Sequence, residues 1–211
     1  MTPDEVAALF TRGSGEYLFA RWGRPIVPVV FGTDDATLAT VKGAVEAVVA
    51  LAGHRMAETD PELGANLWFF FFREWDELLA VPDLGRLLDE GGGGLGALVG
   101  RLTAGQAHQY RLFRFDADGA IRACFTFLRI GGDLAGMPAE VLALNEAVQT
   151  ILLWSDRAFA ERGPLAQAKG VTVLRPDVAA VIRAGYDPVM PSVARDASHA
   201  LRLAARAGLA P

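Results

Sequence analysis

The run Leu67-Trp-Phe-Phe-Phe-Phe72 restricts the possible folds more than any other segment. Six apolar residues without a polar break cannot form a strand with one wet face, and they fall far short of the roughly 20 needed to cross a bilayer. Aromatic side chains favour extended backbone. A segment from Asn66 to Arg73 that is apolar on both faces therefore belongs in the centre of a sheet, covered on each side. With 211 residues, 52% of them apolar, the chain has material for such a core. One domain over residues 1–211 is expected, with its core in 20–193 and a C-terminal helix at 193–207.

Around that strand the periodicity places other elements. Residues 4–11 read as a short helix ending near Gly13. Pro25 to Phe31 reads as a strand, and Pro28, which has no N–H to donate, assigns it to a sheet edge or a bulge. Thr33 is a suitable cap for a helix whose face is Leu38, Val41, Val45, Val48, Val49 and Ala52, stopped by Gly53. A short extended segment spans Arg55 to Thr59. Glu74 to Ala80 is helical, breaks at Pro82 and resumes to Leu88. Gly91 to Gly94 forms a glycine connection to a weak helix at Leu95–Leu102. Gln109–Phe115 and Ala120–Ile130 form a hairpin around Asp116-Ala-Asp-Gly119. Pro138 opens a long helix reaching about Trp154. An apolar run at Val171–Leu174 and helices at Pro176–Ala184 and Val193–Ala207 complete the chain. The fold class is α+β: a mixed sheet with one early crossover helix, a hairpin, a long core helix and a helical C-terminal tail.

Several functions lack their residues. A net charge of −5 opposes nucleic-acid binding, which needs a positive surface. The glycine run has neither the spacing nor the Lys-Ser/Thr of a phosphate loop, and no Gly-x-Ser-x-Gly elbow occurs. Of the histidines His54, His108 and His199, none has a second His, Cys or Asp at metal-ligand spacing on its own element. The lone Cys124 lies in a strand, where a buried, inert thiol is expected. The acidic N-terminus lacks the pattern of a signal peptide, so the expected location is the cytoplasm, with no membrane contact.

The helix from Pro138 carries the most chemistry. Val141, Leu144, Val148, Ile151 and Leu152 form its core stripe, Ala143, Ala147 and Thr150 a small-residue side, and Asn145, Glu146 and Gln149 a polar flank. A carboxylate on so apolar a helix must either pair with an arginine and hold the fold or face a cavity.

The stretch Leu144-Asn-Glu-Ala-Val-Gln-Thr-Ile-Leu-Leu-Trp-Ser-Asp156 resembles a bacterial zincin-like family of unknown function, whose helix carries an acidic pair, a Gln and a closing Asn-Asp. Arg21-Trp-Gly-Arg-Pro25, Gly64-Ala-Asn-Leu-Trp-Phe69 and the stretch from Leu174-Arg-Pro-Asp to Tyr186-Asp-Pro-Val-Met-Pro191 are similar to further segments of that family in the same order. The likeness spans most of residues 20–193. It implies a metallopeptidase fold and matches Glu146 to the second acid, Gln149 to the Gln and Asp156 to the closing Asp. Asn145 stands at the first acid, and the helix holds no His, whereas a zinc peptidase needs two one turn apart.

The resemblance and the residues together imply a zincin-like pseudoenzyme with no metal and no cofactor. It binds a peptide, protein or small ligand beside the 138–154 helix, with Asn145, Gln149, Asp156 and Tyr186 as ligand-binding candidates. Two rivals remain. One is a non-zinc enzyme in which Glu146 is the general base and Gln149 orients substrate. The other is an interaction subunit, possible as a homo-oligomer, docking through its C-terminal helix.

Overall fold

The computed structural model describes residues 1–88 and 93–209, so half of the glycine connection, Gly91 and Gly92, lies outside the described residues. The chain opens with helix α1 (Pro3–Ala8), where Thr2 and Glu5 form a reciprocal capping box. Strand β1 (Phe19–Ala20) follows, then β2 (Pro28–Phe31), helix α2 (Asp35–Leu51) and β3 (Leu67–Phe72). A 3-10 helix (Trp75–Ala80) and helices α3 (Leu84–Leu88) and α4 (Gly94–Ala104) lead into the hairpin of β4 (Gln109–Phe115) and β5 (Ile121–Arg129). After a 3-10 turn at Gly132–Leu134 come helix α5 (Ala139–Ile151), strands β6 (Leu165–Ala168) and β7 (Val171–Leu174), helix α6 (Pro176–Gly185), strand β8 (Val193–Ala194) and helix α7 (Ser198–Arg206).

The main sheet has the order β2-β3-β5-β4. β2 and β5 flank β3 in parallel, and β4 closes one edge antiparallel to β5. The architecture is α+β with a mixed sheet, as the residue pattern implies. Pro28 lies on the edge strand β2, where its missing N–H costs no ladder bond. All six residues of β3 are buried. Because strand side chains alternate, Leu67, Phe69 and Phe71 join the core beneath α2, α5 and α6. Trp68, Phe70 and Phe72 join a second core under the 3-10 helix, α3 and α4. In that second core Trp68 stacks on Phe125 at 4.3 Å between centroids and Phe70 on Phe127 at 5.3 Å.

Several boundaries differ from expectation: α1 ends at Ala8 rather than near Gly13, and β2 begins at Pro28 rather than Pro25. The cap of α2 is Asp34 rather than Thr33, its Oδ1 accepting the Thr37 N–H at 2.7 Å. α5 ends at Ile151, not Trp154, because Leu152 and Leu153 turn extended to pair with Arg21 and Ala20, the Leu153 N–H donating to Ala20 O at 2.9 Å. The tail helix begins at Ser198, since Val193–Ala194 is a strand paired with Phe19–Ala20. Leu165–Ala168 is also a strand, the partner of β7. The expected stripe on α5 is buried at Val148, Ile151 and Leu152 but only half-buried at Val141 and Leu144. The small Ala143, Ala147 and Thr150 are buried as well, on a helix that α2 packs along.

Candidate functional site

α5 lies across the sheet with Glu146 facing β4, and only 1% of this residue is exposed. Its Oε2 accepts Arg111 Nη2 at 2.9 Å, and its Oε1 accepts Asn145 Nδ2 at 2.9 Å. The same Arg111 Nη2 reaches Gln109 Oε1 at 3.1 Å. Arg111 comes from β4 opposite Thr126, a position that aims its side chain at α5. Of the two fates open to a carboxylate on this helix, the structure therefore holds the ion pair. Glu146 lines none of the four cavities described in the molecule.

The other candidates do not converge on it. Gln149 sits half-buried one turn along. Tyr186 is buried at the far end of α5, where its hydroxyl donates to Ile151 O at 2.8 Å and accepts the Trp22 N–H at 3.3 Å. The Arg21 guanidinium lies 5.4 Å from the centroid of its ring. Asp156 holds a distant loop, its Oδ1 accepting the Gly13 N–H at 2.8 Å. Asn145 and Glu146 touch; Tyr186 and Asp156 are each tied to backbone elsewhere.

The segments behind the zincin resemblance meet as structural joints. Trp22 Nε1 donates to Thr150 O at 2.8 Å, beside the Tyr186 clamp. Asn66 Oδ1 accepts the Val27 N–H, while its Nδ2 donates to Pro25 O and to the buried Asp60. Arg24 pairs with Asp116 at 2.6 Å and contacts Asp60 and Glu62. These residues fasten the amino ends of β2, β3 and β5 together. Polar groups so deeply placed need such full pairing.

A zinc ion does not fit beside Glu146, whose neighbours are a guanidinium and a carboxamide. The three histidines lie apart. His54 Nε2 bonds Arg24 O, His108 Nδ1 accepts from Arg129, and His199 Nδ1 bonds the Tyr17 hydroxyl. Among the described residues no three of His, Cys, Asp and Glu are grouped to hold a metal.

A cleft of about 710 Å³ does lie beside α5, on its amino-terminal half. It opens at the carboxyl ends of the parallel strands β2, β3 and β5, between the starts of α2 and α5, the position where parallel sheets commonly bind ligands. Val41, Phe71, Ile130, Leu134, Met137 and Leu142 supply apolar wall; Thr33, Thr37, Arg73 and Glu77 supply a polar rim. Gly32 turns the chain at its base with φ near 80°, and a Cβ there would come within 2.1 Å of Phe71 O. Lining residues that the sequence singles out, among them Thr33, Val41 and Phe71, are read there as cap and core rather than as a site. The usable signal was the β2-Gly32-α2 order, which sets a strand's carboxyl end against a helix start.

No described protein family, curated protein or solved structure matches the chain. Among the described residues no helix is long and apolar enough to cross a membrane.

Proposed function

We propose that this chain is a zincin-like α+β domain without metallopeptidase chemistry that binds a small ligand in the cleft beside α5. One observation carries the reading: the acid matched to the zincin helix is closed off by Arg111, while an open cleft lies along the same helix. A volume near 710 Å³, lined by apolar and polar groups alike, has the dimensions of small-molecule sites, typically about 300–1,000 Å³. The ion pair weighs against Glu146 as a general base, because a base must be free to take a proton. α7 spends its apolar face, Ala200, Leu203 and Ala204, on the rest of its own chain, which weighs against that helix as a docking element. The acidic balance and the lone buried thiol favour a cytoplasmic setting away from nucleic acid.

The test is a thermal-shift screen of a metabolite library on the native protein and on Met137→Trp, which fills the cleft from its half-buried rim. Hits that vanish in the variant, with a melting temperature indifferent to chelator, support the reading. Stoichiometric zinc in native protein, or hits unaffected by Met137→Trp, overturns it.

A further inference from the structure

A second cavity, of about 760 Å³, lies on the opposite face of the sheet between the end of β5, the end of α4 and the 3-10 helix that follows β3. Arg129, at the last position of β5, dominates its chemistry. The side chain is 23% exposed and its Nε is buried without any hydrogen-bond partner. Nη2 donates to His108 Nδ1 at 3.3 Å, and Nη1 stands 3.9 Å from Glu74 Oε2, beyond hydrogen-bond reach. A guanidinium carries five donors; Nε is buried without a partner, Nη2 has one bond and Nη1 has none within hydrogen-bond reach, so donors of the fork remain unused in a residue that lines the cavity. Since arginine can only donate, His108 Nδ1 is the acceptor and its Nε2 bears the proton. Thr103 and Gln106 bring a hydroxyl and a carboxamide to the same cavity. Together these groups suit a carboxylate, which Arg binds with two parallel bonds.

The rim carries the opposite sign. Glu74 and Asp76 both line the opening, and Glu74 is 75% exposed. One acid 3.9 Å from the guanidinium and a second lining the same cavity disfavour a plain anion and suit a ligand with a cation close to its carboxylate. The 3.9 Å between Arg129 and Glu74 sets how close, and it matches a molecule whose two charged groups hang from one carbon. The indole N–H of Trp75 is already given to Ala107 O at 2.9 Å, so Trp75 offers its ring, with Leu102, as an apolar wall for a side chain.

We infer that this cavity binds a free α-amino acid, its carboxylate on Arg129 and its ammonium between Glu74 and Asp76. The site shares only the Glu74 crest with the cleft beside α5 and stands independently of it.

The experiment titrates the full chain with individual proteinogenic amino acids by thermal shift and calorimetry. The best binder is then compared with its des-amino acid and its decarboxylated amine. At least one amino acid raises the melting temperature, and each matched analogue binds at least about tenfold more weakly, as expected for losing one charge-assisted contact. Arg129→Gln and Thr103→Val weaken the amino acid, and Met137→Trp leaves it unchanged. The analogue comparison needs no variant, so it decides even if Arg129→Gln fails to fold. Absence of any shift at millimolar amino acid, equal binding of the des-amino acid, or undiminished binding by a folded Arg129→Gln overturns the inference.

Discussion

Arg111 Nη2 stands 2.9 Å from Glu146 Oε2 and ties the edge strand β4 to α5, with 2% of the glutamate side chain exposed. Removing one member strands the other charge. Glu146→Ala is expected to cost about 3 kcal/mol in urea denaturation, because an unpaired buried ion is far costlier than a missing pair. The double variant Arg111→Leu/Glu146→Leu is expected to return to within about 1 kcal/mol of the native chain by the same reasoning. A single variant as stable as native would contradict the structural role given to this pair.

His199 is 1% exposed, with Nδ1 bonded to the Tyr17 hydroxyl at 2.8 Å and Nε2 buried without a partner. Burial, aided by the positive charge of Arg202, lowers its pKa from 6.5 to about 4. Above pH 6.5 the ring is neutral in both folded and unfolded chains. Between pH 6.5 and about 4 the unfolded chain takes up a proton that the native one refuses, so stability falls as pH falls through this window. Melting curves across it should show the loss, and His199→Gln should flatten the slope. Parallel pH profiles for the two proteins would be inconsistent with a neutral buried ring.

Gly32 adopts φ near 80°, and a Cβ there would meet the Phe71 carbonyl oxygen at 2.1 Å. Strained backbone and a backbone clash act together in Gly32→Ala. The expected loss is about 2–4 kcal/mol by thermal or urea unfolding, more than strain of this kind costs alone. The substitution also displaces the base of the cleft beside α5, so ligand binding there should weaken in the folded fraction.

Cys124 is wholly buried in β5, where burial pushes its thiol up to about 12. The reactive species is the thiolate. A thiol reagent at pH 8 should therefore label native protein only as fast as it unfolds, and label it fully in denaturant. Rapid stoichiometric labelling of the native chain would show that β5 opens readily.

The elements legible from sequence are those whose signals are local. α2 carries its own apolar face, acid-rich start and Gly53 stop, and the β4–β5 hairpin carries the turn residues Asp116 to Gly119. Pro28 restricted its strand to an edge or a bulge, and the strand lies at an edge. What escaped depends on distant contacts. Leu152 to Trp154 look helical in isolation, yet Ala20 and Arg21 draw Leu152 and Leu153 into extended pairing. β8 and β1 have two residues each, too few to show a period. Glu146 stood out as an acid on an apolar helix, but its partner sits 35 positions earlier on another element. Of the cleft, only the β2-Gly32-α2 junction is legible in sequence; the rest is defined by where three strands end together, not by any run of residues.

Tyr17 and His199 touch across 182 positions of sequence, and Phe19 pairs with Ala194 beside them. While the chain is being synthesised, Tyr17 and Phe19 consequently lack their contacts with His199 until that residue emerges. Nascent chains halted before Ser198 should be the aggregation-prone species and the ones that engage chaperones.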